Sequence, residues 1–322
     1  MRKTLKTLMA MATMAIACGA HAQNYPDRPI RIIVPYPPGG ITDIVGRTIG
    51  DRIARELGQS VIVENKAGAG GSIGASEAAR AKPDGYTLFI GTSATNGTNP
   101  STFATLNYDA VKDFEPVALV ASAPLMIIIS PQIPAKTLDE FIAYAKENPG
   151  KVSYATTGTG GSVHLTTEQF AMQTGIKMTH VPYRGSSPAL TDLIGGHVDV
   201  MFDNVPSAAP LAESGKVRAL AVTSETRSVL APDVPTVAET AVPGFDSASW
   251  IALYAPAGTP ANAIDALNKA VNQGLKDQAL LEIFRKAGLE ARGGSPDNLG
   301  KHQSTEIEKW AQVVKAIGYQ PN

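Results

Sequence analysis

Short runs of β-branched residues alternate with helical patterns through most of this chain, and that alternation limits its fold more than any other feature. Ile30–Val34, Val61–Glu64, Tyr86–Ile90, Leu125–Ser130, Val152–Ala155, Met178–Val181, Val198–Phe202, Val217–Val222 and Trp250–Ala255 read as strands. Strands separated by helices need crossover connections, which favour parallel sheets covered by helices: an α/β fold. At 322 residues and roughly 100–200 residues per domain, two domains are expected.

The intervening segments carry helix signals. Thr42 or Asp43 can cap a helix whose Val45, Ile49, Ile53 and Leu57 share one face. Thr137-Leu138-Asp139-Glu140 reads as a capping box ahead of Phe141, Ile142 and Ala145. Pro188 can open a helix through Leu190, Leu193 and Ile194 that stops at Gly195-Gly196. From Pro260 the chain turns mainly helical, first with Ile264, Leu267, Val271 and Leu275 on one face, then near 306–317. The Pro/Gly-rich stretch 231–244 reads as an irregular connection near a domain edge.

The first 22 residues read as an export signal, with basic Arg2, Lys3 and Lys6, an apolar run from Leu8 to Cys18, and Ala20-His21-Ala22 before a cut ahead of Gln23. That run is about half the ~20 residues a membrane span needs. Cys18, the only cysteine, reads as a small apolar residue of the signal or as a lipidation site; in the first case the exported chain has no thiol. Whole, the chain carries a net charge of −1; without Arg2, Lys3 and Lys6 the balance is 25 cations against 29 anions, or −4. A nucleic-acid binder would ordinarily be basic.

Four strands run directly into small, polar or Gly-rich loops, at the carboxyl ends where α/β sheets bind ligands. The loops hold Pro35-Tyr36-Pro37-Pro38-Gly39-Gly40-Ile41-Thr42-Asp43; Gly91-Thr92-Ser93-Ala94-Thr95-Asn96; Thr156-Thr157-Gly158-Thr159-Gly160-Gly161-Ser162-Val163-His164; and Pro182-Tyr183-Arg184-Gly185-Ser186. Glycine lets a ligand touch backbone, and a helix that starts there points N–H groups and about half a positive charge at it. Two such ends facing each other would hold a small anion without metal or covalent chemistry. Each loop also reads as an ordinary strand-to-helix turn.

Single residues carry paired readings. Asp43 suits an N-cap, a ligand contact, or both. Arg184, the only cation in the four loops, could pair a carboxylate bidentately or form a surface ion pair. His164 suits packing behind a site or a ligand contact, Asp203-Asn204 a polar contact or a turn, and Trp250 the core or a site.

Enzyme motifs come close and fail. Gly68-Ala69-Gly70-Gly71-Ser72-Ile73 and Gly158-Thr159-Gly160-Gly161-Ser162-Val163 lack the glycine that completes a dinucleotide fingerprint. Gly160-Gly161-Ser162-Val163-His164 has histidine where a nucleophile elbow needs its last glycine. The histidines at 164, 180, 197 and 302 show no metal-ligand spacing.

Several segments together resemble the Bug-type extracytoplasmic solute receptors, the binding component of tripartite tricarboxylate transporters. They are Tyr25-Pro-Asp-Arg-Pro-Ile30; Val34-Pro-Tyr-Pro-Pro-Gly-Gly40 with Asp43; Val63-Glu-Asn-Lys-Ala-Gly-Ala-Gly-Gly71; Pro83-Asp-Gly-Tyr-Thr-Leu88; Val181-Pro-Tyr-Arg-Gly185; Leu193-Ile-Gly-Gly-His-Val-Asp199; Ala219-Leu-Ala-Val-Thr223; Pro235-Thr-Val-Ala-Glu239; and Pro243-Gly-Phe245. The resemblance implies a two-lobed Venus-flytrap α/β fold, each lobe a sheet flanked by helices. Carried onto this chain, lobe one is 23–124 plus 249–322 and lobe two is 125–248. It further implies a periplasmic, monomeric binding protein that needs no cofactor or metal, grips a small organic carboxylate and delivers it to membrane permease subunits. Tyr36, Gly39, Gly40 and Asp43 would form one wall, with Thr92 and Ser93 beside them. Thr159, Gly160, Ser162 and His164 would lie opposite, and Tyr183, Arg184, Asp203 and Asn204 nearer the variable end. Two other functions stay open on the residues alone: a secreted α/β serine hydrolase using Ser162 with His164 or another base, and a ligand sensor for a signalling partner.

Overall fold

The computed structural model describes residues 25–321. The expected export segment, the cut after Ala22 and Cys18 lie outside the described residues.

The two-lobed α/β architecture is present, built around one long strand. Strands β1 (Ile30–Val34), β2 (Val61–Asn65) and β3 (Thr87–Thr92) lie in the order β2-β1-β3, with β1 parallel to both neighbours. Next to β3 runs β9 (Ala248–Pro256), antiparallel, and then β4 (Phe114–Ile129). The first half of β4 pairs with β9 and with β10 (Glu290–Ala291). Its second half pairs with β7 (Val200–Asn204) and β8 (Arg218–Val222), and β5 (Ser153–Thr156) and β6 (Thr179–Pro182) extend that second sheet in parallel.

The strand expected at 125–130 is therefore the second half of a strand of 16 residues. Pro116 and Pro124 hide the first half, because proline cannot donate to a ladder and ordinarily marks an edge or a bulge. The register indeed shifts between Pro116 and Ala118 and again between Leu119 and Ala121. One apolar cluster joins Ile32 of β1, Val120 of β4 and Leu253 of β9 to helices α1 (Ile41–Leu57) and α9 (Ala261–Gly274). Separate clusters centred on Ile127 and Met126 hold the second sheet, its membership beginning at Leu125.

Helix α1 buries Val45, Ile49 and Ile53, but its cap differs from expectation. Gly40 is the N-cap, while Thr42 and Asp43 lie inside the first turn. Pro37-Pro38-Gly39-Gly40 brings the chain in extended at Gly40 (φ −79, ψ 169), so the helix starts two residues earlier. After α2 (Ser72–Ala79) and α3 (Asn99–Thr102), helix α4 (Leu138–Glu147) begins at Thr137, whose hydroxyl accepts from Glu140 N at 3.2 Å. The Glu140 carboxylate reaches back to Lys136 N at 2.6 Å, one residue past the position that would complete the box. Helix α5 (Ser162–Thr174) follows the third loop, and α6 (Ser186–Gly195) starts two residues before Pro188. Past α7 (Val205–Glu213), the connection 231–244 contains the short α8 (Val237–Thr240), which does have a reciprocal Thr236/Glu239 box.

Two C-terminal features exceed expectation: α10 (Gln278–Lys286), and α11 (Pro296–Ala316), which starts ten residues before the anticipated segment. Ser295 caps α11 by accepting from Asn298 N at 3.2 Å. Its first turns bury only Leu299 and Gln303, too few to register as an apolar face.

Candidate functional site

Three of the four strand-end loops open onto one cavity of about 420 Å³. Tyr36, Ile41 and Thr42 line it from the first loop, Thr92, Ser93 and Ala94 from the second, and Thr159, Gly160, Gly161 and Ser162 from the third. Among the described residues no charged side chain lines this cavity; its polar surface is hydroxyl, amide and backbone.

The two opposed walls share a local construction. In α1 the N-cap is Gly40 and in α5 it is Gly161, both extended and both without a side-chain cap. In each helix the third residue reaches back to the N–H that precedes the cap. Gly39 N donates to Asp43 Oδ2 at 2.9 Å, and Gly160 N donates to His164 Nδ1 at 3.1 Å. The first-turn N–H groups of both helices are thus left without a capping side chain, the arrangement that favours an anion.

Asp43 is buried behind its loop rather than facing the cavity. Arg47 Nε donates to its Oδ2 at 3.0 Å and Asn65 Nδ2 to its Oδ1 at 2.9 Å, and Asn65 Nδ2 also donates to Tyr36 O at 2.9 Å. Burial alone would raise this carboxyl, but the bonds from Arg47, Gly39 and Asn65 outweigh it and hold it below the usual range. Gly39 and Gly40 are exposed at the turn, just outside the cavity wall. In the second loop Thr92 and Thr95 cap each other: Thr92 N donates to Thr95 Oγ1 at 2.9 Å and Thr95 N to Thr92 Oγ1 at 3.3 Å. Tyr36 Oη lies 3.3 Å from Thr92 Oγ1 and joins the first two loops.

His164 is buried in a stack with His180 (ring centroids 4.2 Å apart), which in turn stacks on Tyr154 (4.9 Å). Burial, helped by His180, pushes its imidazole down to about 4. The neutral ring accepts at Nδ1 and carries its proton at Nε2, 3.9 Å from Glu168 Oε1. Glu168 Oε1 also accepts from Tyr154 Oη. Among the described residues no hydrogen bond joins Ser162 Oγ to His164, so the pair lacks the contact a nucleophile needs from its base.

The fourth loop does not line this cavity. Tyr183 Oη donates to Asp192 Oδ2 at 2.7 Å, and Arg184 is exposed with no ion pair among the described residues. Asp203 is fully buried: Ser186 Oγ donates to its Oδ1 at 2.7 Å, its Oδ2 has no partner, and burial raises its carboxyl. Exposed Asn204 precedes α7 without making a side-chain cap.

Several lining residues escaped sequence reasoning, chiefly Asn99, Phe103, Trp310 and Tyr319. Trp250 is core, as expected, and also floor. Its Nε1 and that of Trp310 both donate to Glu306 Oε2, at 3.1 and 2.9 Å, and Glu306 pairs with Lys309. No local pattern announces Trp310 or Tyr319, because their position depends on where α11 docks. A second cavity of about 510 Å³ lies away from the strand-end loops, between α7 and β8, and none of the expected site residues lines it.

Comparison with known proteins gives the family. Residues 45–319 match the family described as tripartite tricarboxylate transporter family receptor. Protein BugT of Bordetella pertussis is 39% identical over 309 residues, 96% of this chain and 95% of that protein. The structure of R. palustris Rpa4515 with adipate is 38% identical with a TM-score of 0.73, covering 92% of this chain and 100% of that one. MatC from Rhodopseudomonas palustris with bound malate is 35% identical with a TM-score of 0.68, covering 90% and 100%. The Bug-type resemblance is borne out, and the chain belongs to the receptor family of the tripartite tricarboxylate transporters.

Proposed function

We propose that this chain is a periplasmic receptor that closes its lobes on a small carboxylate and hands it to the permease of a tripartite tricarboxylate transporter. One observation carries the reading: the uncapped N-termini of α1 and α5 meet at a single cavity whose walls, among the described residues, hold no charged side chain. An anion there takes its counter-charge from helix ends and hydroxyls. The adipate and malate held by two relatives have the same chemistry.

In this reading Tyr36, Thr92, Ser93, Thr159, Gly160 and Ser162 contact the ligand, while Gly39, Gly40, Asp43 and His164 shape the loops that do. Tyr183, Arg184, Asp203 and Asn204 approach the ligand only as the lobes close. The protein acts as a monomer without metal, cofactor or catalytic step, exported with cleavage after Ala22. Lobe one is 23–124 plus 249–322 and lobe two 125–248. The change of core membership between Ala123 and Leu125, and between Phe245 and Trp250, supports those borders.

Both tryptophans of the chain, Trp250 and Trp310, line the cavity, so indole fluorescence reports its occupancy. Titration with succinate, malate and adipate should give a saturable change together with a raised melting temperature. No response to any carboxylate in either measurement would overturn the reading.

A further inference from the structure

Tyr319, just past helix α11, reaches the cavity. Helix α11 closes at Gly318, whose φ of 63 is left-handed and open to glycine, and Tyr319 N donates back to Val314 O at 3.1 Å. That reversal turns Tyr319 off the helix axis toward α5. Its neighbours there are Leu165 of α5 and Trp310, Val313 and Val314 of α11, so the last turns of α11 dock on the second lobe.

The Tyr319 ring lands on the third loop. A Cβ built on Gly160 would stand 2.8 Å from Tyr319 Oη and 3.0 Å from Cε2, closer than side chains tolerate. Glycine at 160 therefore lets ring and loop touch. Gly160 is the residue whose N–H is held by His164, and both Gly160 and Tyr319 line the cavity. The ring thus forms a side wall directly beside one of the two helix ends.

We propose that Tyr319 is a specificity-determining residue that limits ligand length, its ring occupying space that the far end of a longer carboxylate would need. The inference rests on the carboxylate-receptor reading above. An aromatic wall at this place excludes by volume. Each methylene that can be buried in the space a removed ring leaves should strengthen binding about fourfold.

The test is a series of unbranched dicarboxylates, from succinate through glutarate, adipate and pimelate to suberate, titrated into the full chain and into Tyr319→Ala and Tyr319→Phe. Tyr319→Ala should move the preferred length upward and change the suberate-to-succinate affinity ratio by about tenfold or more, and Tyr319→Phe, which keeps the ring, should move it far less. Should Tyr319→Ala melt early, Tyr319→Leu serves in its place, with the same shift at smaller size. If Tyr319→Ala and Tyr319→Leu weaken or spare every member of the series by one common factor, the proposal is overturned while the receptor reading stands. If the wild type binds no carboxylate at all, both fall.

Discussion

Asp43 and His164 occupy the same place in two different helices and do the same work with different chemistry. Each accepts the N–H just before a glycine cap and so fixes a loop that lines the cavity. The carboxylate is held low by its donors, and the imidazole must stay neutral to accept at all. A pH dependence follows. An unfolded histidine takes up its proton near pH ~6.5, and folded His164 only at about 4. The unfolded chain therefore binds more protons across that interval, and stability that is full above it declines as pH falls through it. His164→Asn keeps an acceptor but cannot titrate, so its melting temperature should fall less than that of the wild type between neutral pH and about pH 4. Equal slopes in scanning calorimetry would show that His164 contributes nothing to the acid limb. At this scale the sequence names both residues as site candidates. It does not tell a ligand contact from a brace, because that depends on which way a buried side chain turns.

The elements that join the lobes are β4, β9 and α11. The antiparallel pair β4–β9 runs through the middle of the molecule, and α11 adds a link from Leu299, packed in the first lobe, to Val313 and Val314 on α5 of the second. Glu306 fastens that helix. It is almost fully buried, accepts from two indoles and pairs with Lys309, whose Nζ also donates to Asp246 O at 3.0 Å. Removing the carboxylate leaves two buried N–H groups without their acceptor and Lys309 without its ion pair. Glu306→Ala should therefore cost about 3 kcal/mol or more in urea unfolding, and Glu306→Gln roughly half of that, since an amide oxygen still accepts. A loss below about 1 kcal/mol for the alanine variant would mean that α11 is held by apolar packing alone. Strand patterns with clear β-branched runs are legible locally. The first half of β4 and the start of α11 are not, because prolines interrupt one and the other buries only a narrow face.

For the whole molecule, charge and site point in opposite directions. With the export segment removed the chain is expected to carry −4, and among the described residues the cavity wall carries no charged side chain. Attraction for an anion then comes from dipoles a few ångströms away, not from a long-range field. Raising NaCl from about 20 to about 300 mM shortens the screening length from roughly 20 to roughly 6 Å. Carboxylate affinity should change by less than about threefold over that range, measured by calorimetric titration. A steeper loss would place a cation such as Arg184 against the ligand in the closed form. The sequence by itself determined the α/β class, the family and four strand-end loops as candidate walls, because strand periodicity, glycine-rich turns and helix starts are written in neighbouring residues. Only the tertiary structure decided that Asp43 and His164 brace those loops, that Trp250, Trp310 and Tyr319 complete the cavity, and that the fourth loop stands apart from it. Those facts depend on how helices far apart in the chain dock against one another, and no local pattern encodes that distance.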